Sequence, residues 1–142
     1  MSGRYFVDTN VFVYQLEALD ERKFAVADRI IREGIAAEDG CISFQVVQEC
    51  LNTVLRKAEI KLDAETAKDY LDTMLAPLFQ VPASLTLYHR ALDLQTRYKF
   101  SFYDSLIVAA ALAGGCTRLY SEDLQHDQKI EGLTITNPFL EG

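Results

Sequence analysis

Cysteine and histidine are scarce in this sequence of 142 residues, which contains three cysteines and two histidines. Cys41, Cys50 and Cys116 form no Cys-x-x-Cys pair and have no histidine at zinc-finger spacing, which excludes that class of metal site. Their odd number argues against a disulfide framework, and their apolar neighbours predict three small buried side chains. His89 and His126 are isolated, so we expect surface or hydrogen-bonded histidines and no Ser–His or Cys–His pair for nucleophilic catalysis.

Long apolar runs are also missing. The longest, residues 106–113, is far shorter than the roughly 20 residues that cross a membrane. Residues 1–8 contain no apolar run of the length found in signal peptides. The length, with 49% hydrophobic and 25% charged residues, is typical of one globular domain. We therefore expect a single domain over residues 1–142, located in the cytoplasm.

Positive charge is in the minority, with 14 Lys and Arg against 21 Asp and Glu and a net charge of -7. Proteins that grip nucleic acid along a broad surface usually show a basic patch, so the composition argues against that mode of binding. A site that collects carboxylates around a divalent cation is also acidic until the cation binds. The charge balance is therefore compatible with a metal-dependent enzyme that acts on nucleic acid.

Short apolar segments alternate with segments of helical periodicity. This alternation predicts βα units on a mostly parallel sheet that helices cover on both faces, an α/β/α sandwich with four to five short strands. Strands are expected at residues 4–8, 41–43, 78–81, 117–120 and 133–136. Helices are expected at residues 9–16, 21–37, 44–57, 63–76, 84–95 and 101–113.

Acidic residues follow the predicted strands. Asp8 ends the first strand, Glu49 lies in the helix after the second, and Asp104 lies in the first turn of a buried helix. Glu122 and Asp123 directly follow the fourth strand. Ligands of parallel α/β sheets bind beyond the carboxyl ends of the strands, so these acids should converge there. Their repulsion calls for a hard cation with oxygen ligands, and Mg²⁺ fits better than Zn²⁺, which recruits Cys or His.

Each acid alone also has a simpler explanation. Asp8 can cap the following helix, and Ser101 with Asp104 matches a capping box. Glu49 and Asp123 can be solvated residues of a helix edge and a loop. The joint arrangement favours a site, and three short polar neighbours can hydrogen-bond the acids or a metal-bound water: Thr9, Asn10 and Ser121.

These segments together resemble a known family, the PIN domains, and within it the VapC-like toxins of type II toxin–antitoxin systems. The resemblance rests on Val7-Asp8-Thr9-Asn10, on Val47-Gln48-Glu49, on residues 101–111 (SFYDSLIVAAA), on residues 119–124 (LYSEDL) and on residues 136–139 (TNPF). It covers the whole chain, and the block at residues 97–128 is its most specific part.

The resemblance implies a PIN-like α/β/α fold and an endoribonuclease that cleaves single-stranded or looped RNA with Mg²⁺ or Mn²⁺. It assigns Asp8, Glu49, Asp104 and Asp123 to the acidic set, with Asp8, Asp104 and Asp123 on the metal. Asp123 aligns better than Glu122, although the residues leave that choice open. It also implies a homodimer and an antitoxin that presents a basic residue to the acidic site. Asp127 departs from many relatives, which have glycine there.

Candidate contacts to the substrate are less specific. The basic residues nearest to the Asp104 helix are Arg90, Arg97 and Lys99, which can contact phosphates or simply be solvated. Nearby aromatic residues can stack on bases, although their spacing predicts that most are core or dimer contacts: Tyr98, Phe100, Phe102 and Tyr103.

Three other functions are alternatives to a nuclease. A haloacid-dehalogenase-like phosphatase needs a second aspartate two residues after Asp8, where the chain has Asn10. A receiver-type module needs an acid pair after strand one and a lysine after the last strand, where Asn137 and Pro138 stand. A non-catalytic PIN-like module that binds RNA or protein is disfavoured by the full set of acids but stays open.

Overall fold

Six short strands form one sheet in the computed structural model, which describes residues 3–57 and 60–140. The strands are β1 (Tyr5–Val7), β2 (Gly40–Ser43), β3 (Phe79–Val81), β4 (Arg118–Tyr120), β5 (Lys129–Ile130) and β6 (Leu133–Thr136). Their order is β3-β2-β1-β4-β6-β5, and all neighbours are parallel except β5 and β6. Because β1 lies between β2 and β4, the carboxyl ends of these three strands meet at one edge.

Helices flank this sheet, which confirms the expected fold class. They are α1 (Thr9–Glu17), α2 (Glu21–Ala37), α3 (Phe44–Arg56), α4 (Ala64–Tyr70), α5 (Leu85–Tyr98) and α6 (Phe102–Ala113). Helices α1 to α4 form one packed group and α5 packs against α6, while α2 and α6 each contact β2. Residues 105–111 of α6 are all buried, as expected for the longest apolar run of the sequence.

The sheet has one strand more than the four to five that the sequence predicted. The additional strand, β5, has only two residues and pairs with β6 in an antiparallel hairpin. Glu131 and Gly132 form its turn with φ angles of 52° and 91°. Two successive residues of positive φ are typical of the tight turns that join such strands. A two-residue strand is too short to show the alternation from which a strand is predicted.

The segment predicted as one helix over residues 63–76 is divided. Asp63 caps α4, and the chain then continues as a π-helical segment (Leu71–Leu75) and a 3-10 helix (Ala76–Leu78). Leu78, which was predicted to begin the third strand, is instead a buried residue of that 3-10 helix. Pro77 cannot donate the backbone hydrogen bond of an α-helix, and the tighter turn places Leu78 in the core.

Helix α2 approaches the sheet closely at Gly34. A Cβ atom added there would lie 2.8 Å from the hydroxyl oxygen of Tyr5 and 3.2 Å from the Cα atom of Gly40. The same Tyr5 hydroxyl donates a 2.7 Å hydrogen bond to the carbonyl of Ile30. Glycine at residue 34 therefore sets the distance between α2 and the strands β1 and β2.

The cysteine and histidine predictions agree with the structure. Cys41, Cys50 and Cys116 are buried, with exposed fractions of 0%, 0% and 6%. His126 is exposed, and its Nδ1 atom accepts a 2.9 Å hydrogen bond from the backbone N–H of Asn137. His89 is also exposed.

Candidate functional site

Asp8 stands at the junction of β1 and α1, at the centre of the carboxyl edge of the sheet. Its side chain is 7% exposed, and Oδ1 accepts a 2.7 Å hydrogen bond from the backbone N–H of Thr9. Oδ2 accepts a 2.8 Å hydrogen bond from the hydroxyl of Ser121, which follows the neighbouring strand β4. Asp8 is therefore the N-cap of α1, as the simpler explanation held, and also a buried carboxylate shared between two strand ends.

The environment of Asp8 opposes its ionisation. Burial, which is the largest cause, and the negative charges of Glu49 and Asp123 together raise the pKa of Asp8 to about 7, even though the hydrogen bonds from Ser121 and Thr9 act to lower it. No positively charged side chain contributes to this balance among the described residues. A buried acid surrounded by acids is a common feature of functional sites.

Glu49 projects from α3 toward Asp8. Its Oε1 atom accepts a 2.6 Å hydrogen bond from the hydroxyl of Thr9. Its Oε2 atom accepts a 3.3 Å hydrogen bond from the side-chain amide of Gln45, one helical turn earlier. The same amide donates a 3.3 Å hydrogen bond to the carbonyl of Tyr103. Glu49 is thus held by α1 and by its own helix, and Gln45 connects it to the start of α6.

Asp123 lies in the loop that follows β4 and faces Asn10 of α1. The side-chain amide of Asn10 donates a 3.2 Å hydrogen bond to Oδ2 of Asp123. The Ser121 hydroxyl accepts a 3.2 Å hydrogen bond from the backbone N–H of Asp123, so one serine contacts Asp8 and also holds the Asp123 backbone. These bonds place Asp123 in the same group as Asp8 and Glu49.

Glu122 points into a different cluster. It accepts hydrogen bonds of 2.6 Å from the Tyr14 hydroxyl and 2.9 Å from the Lys23 ammonium group. Although partial burial raises the pKa of Glu122, the bonds from Tyr14 and Lys23 and the charge of Lys23 outweigh it and hold that pKa below its ordinary value. The backbone N–H of Glu122 also donates to the side-chain oxygen of Asn10 at 3.2 Å. The charge of Glu122 is therefore balanced by Lys23, which supports the preference for Asp123 at the acidic site.

Asp104 lies in the first turn of α6, as predicted. Its backbone N–H donates a 3.1 Å hydrogen bond to the hydroxyl of Ser101, the N-cap of the helix. The reciprocal bond of a capping box, from the Ser101 N–H to the Asp104 carboxylate, is absent within residues 3–57 and 60–140. The carboxylate is therefore not used by the cap, and Gln45 links the preceding residue, Tyr103, to Glu49.

The donor set fits a hard cation better than a soft one. The groups that converge are carboxylates, whose oxygen atoms can bind a metal, and the hydroxyls and side-chain amide that donate hydrogen bonds to them. The buried thiol of Cys50 lies near Glu49 and Asp8, and burial together with these two charges raises its pKa, so it stays neutral. Within the described part of the chain, no three Asp, Glu, His or Cys side chains are close enough to enclose a metal by themselves. A cation here would have to keep water among its ligands, as Mg²⁺ usually does.

The predicted basic residues lie outside this group. Arg90 forms an ion pair with Glu131 in the β5–β6 turn, and Arg97 approaches the same carboxylate at 3.8 Å. Lys99 is exposed and ends α5 in a left-handed conformation. Asp127 is exposed with a φ of 68°, a conformation that suits glycine. Of these residues, Lys99 is the nearest in sequence to the Asp104 turn.

The sequence did not single out Gln45, Tyr14 or Lys23, although each contacts an acid of this region. Gln45 and Glu49 are four residues apart in one helix, a spacing that places them on the same face. Their contact could therefore have been predicted from the sequence. The contacts of Tyr14 and Lys23 with Glu122 join residues about 100 positions apart, and no local sequence pattern predicts them.

This fold and site define a class of protein with a mostly parallel α/β sheet and a carboxylate-rich site at the carboxyl ends of its central strands. The family model of the PIN domain matches residues 5–130. The chain belongs to the PIN-domain family.

Solved structures of toxins are similar to this chain. A toxin–antitoxin complex from Klebsiella pneumoniae has a TM-score of 0.63 at 18% identity, over 94% of this chain and 97% of that chain. VapC20 of Mycobacterium tuberculosis, described as a sarcin–ricin loop cleaving toxin, has a TM-score of 0.60 at 21% identity, over 84% and 89%. FitAcB from Neisseria gonorrhoeae has a TM-score of 0.63 at 20% identity, over 95% and 98%. At these identities the similarity establishes the fold.

No curated protein sequence matches the chain. In residues 3–57 and 60–140, no helix is both long enough and apolar enough to span a membrane.

Proposed function

We propose that this protein is a metal-dependent endoribonuclease and the toxin of a VapBC-type toxin–antitoxin pair. The observation that carries the proposal is the buried carboxylate of Asp8, which lies with Glu49 and Asp123 at the carboxyl edge of a PIN-domain sheet. No positively charged side chain of the described residues is among the causes that shift the pKa of Asp8, so an external cation is the simplest source of compensation.

Asp8, Asp104 and Asp123 would hold the cation, Mg²⁺ or Mn²⁺, together with water, since these carboxylates do not enclose a metal by themselves in the described residues. When bound, the cation supplies Lewis acidity that lowers the pKa of a water molecule and offsets negative charge on the scissile phosphate. The chain's own residues orient the acids. Ser121 and the Thr9 N–H hold Asp8, and Asn10 holds Asp123.

Glu49 has a separate role in this proposal. The Thr9 hydroxyl and the Gln45 amide occupy one lone pair on each of its oxygens and so fix the plane of the carboxylate. A carboxylate in a fixed plane beside Asp8 can orient the attacking water or accept its proton. Neither step needs a nucleophilic side chain.

The proposed partners follow from the charge of the protein and from its structural relatives. A protein of net charge -7 with an acidic site suits a partner that presents a basic residue to that site. The similar structure from Klebsiella pneumoniae is described as a toxin–antitoxin complex. Another similar structure is described as FitAB bound to a DNA fragment. We propose a cognate antitoxin, a homodimeric toxin, and RNA met in the cytoplasm as the substrate.

A second candidate, a non-catalytic PIN-like module that binds RNA or protein, is favoured by one observation. Glu49 and Asp123 are already hydrogen-bonded to neighbouring side chains, and no three acids enclose a metal position among the described residues. Such a module would bind RNA or protein without cleaving it.

The test is cleavage of a mixed set of structured RNAs by the purified protein with Mg²⁺, with Mn²⁺ and with chelator. Asp8→Asn is the inactive variant. Asp63→Asn is its matched control, because Asp63 is an exposed N-cap that α4 keeps when asparagine replaces it. Cleavage that needs metal and Asp8, but not Asp63, supports the nuclease. RNA binding without cleavage at any metal concentration would favour the non-catalytic module.

A further inference from the structure

Two aromatic rings at the start of α6 are exposed. Phe102 is 37% exposed and Tyr103 is 66% exposed, and their ring centroids are 5.6 Å apart with an interplanar angle of 71°. The preceding aromatic residues differ. Tyr98 and Phe100 are half-buried, stack on each other at 5.8 Å, and pack against the core. Of the four rings, most of which were predicted to be core or dimer contacts, Tyr98 and Phe100 pack against the core, and Phe102 and Tyr103 do not.

The backbone that carries the two rings is fixed by the acidic site itself. Ser101 caps the helix through the N–H of Asp104, and the Tyr103 carbonyl accepts the hydrogen bond from Gln45 that also holds Glu49. An exposed ring on a fixed backbone can bind a ligand with little loss of conformational entropy. The ring of Tyr103 is attached next to Asp104 and within two hydrogen bonds of Glu49.

Basic residues precede the two rings in the chain. Lys99 and Arg97, at the end of α5, are exposed and lie just before the aromatic pair in the chain. The guanidinium carbon of Arg97 lies 5.6 Å from the Tyr98 ring centroid. Exposed rings next to an acidic site, with the exposed Lys99 shortly before them in the chain, are features of sites that bind single-stranded nucleic acid through base stacking and phosphate contacts.

We propose that Phe102 and Tyr103 bind an unpaired nucleobase of the RNA, adjacent to the phosphate that is cleaved. The inference rests on the proposed function and names the substrate feature that this site selects. A base inside a duplex is covered on both faces, so only an unpaired base offers a free face to an exposed ring. The two rings therefore hold the RNA by its base.

A tryptophan reporter tests the inference, because the chain has no tryptophan. Tyr103→Trp is combined with Asp8→Asn, so that binding is measured in Mg²⁺ without cleavage. The ligands are an unstructured oligoribonucleotide, the same oligonucleotide with abasic sites, and its duplex with a complementary strand. We expect the unstructured oligoribonucleotide, and neither of the other two ligands, to quench the tryptophan fluorescence. Equal quenching by the abasic or duplex ligand would overturn the inference, since phosphate contacts alone would explain it.

Affinity and kinetics give the second readout. Tyr103→Ser is expected to raise the Kd for the unstructured RNA about tenfold and to leave that for abasic RNA unchanged. The loss should appear in KM rather than in kcat. Phe79→Ser is the matched control, because Phe79 is 43% exposed on β3 and should leave affinity unchanged. An unchanged Kd in Tyr103→Ser overturns the inference.

Two other results separate this inference from neighbouring explanations. If the emission of Tyr103→Trp changes with protein concentration alone, and Tyr103→Ser dissociates a dimer in sedimentation, the rings are a contact between two copies and the inference fails. If Asp8-dependent cleavage is present but Tyr103→Ser has no effect on binding or KM, the nuclease stands without this base contact. Stacking without any cleavage retains the contact and rejects the proposed catalysis.

Discussion

The hydroxyl of Thr9 donates a 2.6 Å hydrogen bond to Oε1 of Glu49 and so connects the first turn of α1 with α3. Thr9→Val keeps the shape of the side chain and removes this donor. Because a hydrogen-bond partner fixes the orientation of a site carboxylate, and Glu49 is proposed to orient the attacking water, we expect the cleavage rate to fall by about 10- to 100-fold and Mn²⁺ affinity to change much less. Cleavage rates and calorimetric titration measure the two quantities. Thr9→Ser retains the hydroxyl and should stay close to wild type. Equal losses in the two variants would show that the hydrogen bond is not the cause.

Asp8 makes the stability of the metal-free protein depend on pH. Its pKa is raised from 3.8 to about 7 by burial and by Glu49 and Asp123, so the folded state binds a proton more tightly than the unfolded chain. The contribution of Asp8 to folding stability is therefore fully present below pH 3.8, is lost as pH rises toward 7, and changes little above that. Three pKa units correspond to about 4 kcal/mol of unfolding free energy.

Asp8→Asn removes this titration. In chelator, we expect the variant to exceed wild type in unfolding free energy at pH 8, by up to about 4 kcal/mol, and to approach it near pH 4. Denaturant titrations at a series of pH values measure the difference. Mg²⁺ should stabilise wild type at pH 8 and leave the variant unaffected. A difference that is the same at pH 4 and pH 8 would contradict the assignment to Asp8.

Asp123 and Glu122 are expected to differ in their effect on metal binding. Asp123 lies with Asp8 and contacts Asn10, whereas Glu122 is occupied by Tyr14 and Lys23. Asp123→Asn should therefore weaken Mn²⁺ binding strongly. Glu122→Gln should lower stability through its lost ion pair and change Mn²⁺ affinity much less. Calorimetry of both variants at one pH decides between them, and the reverse order would assign Glu122 to the metal.

Lys23 positions the loop that carries Asp123. It donates to Tyr14 and Glu122 at 3.0 Å and 2.9 Å and lies 4.5 Å from the centroid of the Tyr14 ring. Lys23→Met should lower kcat about three- to tenfold, because the loop loses an anchor while its acids remain. Lys68→Met is the control, since Lys68 pairs with the exposed Glu65 at 3.4 Å and its replacement should be neutral. Similar kcat values for the two variants would remove the positioning role.

Local pattern was sufficient to single out three acids as candidates for the site. Asp8 and Asp123 follow short apolar segments, and Asp104 precedes the longest apolar run. The additional strand β5 and the break in the helix after Asp63 were not predictable, because two residues show no alternation and a π-helical segment keeps nearly helical spacing.

The sequence by itself determined the kinds of residue at the sheet edge, the alternation of strands and helices, and the match to the PIN family. The periods of 2 and 3.6 residues and the caps are local properties, which neighbouring residues are sufficient to specify. The tertiary structure decided which acids are paired and which are not: Glu122 meets Lys23 across 99 positions, and Asp8 meets Ser121 across 113. Those contacts exist because β1 lies beside β4 in the sheet, and strand order is a property of the whole packed chain.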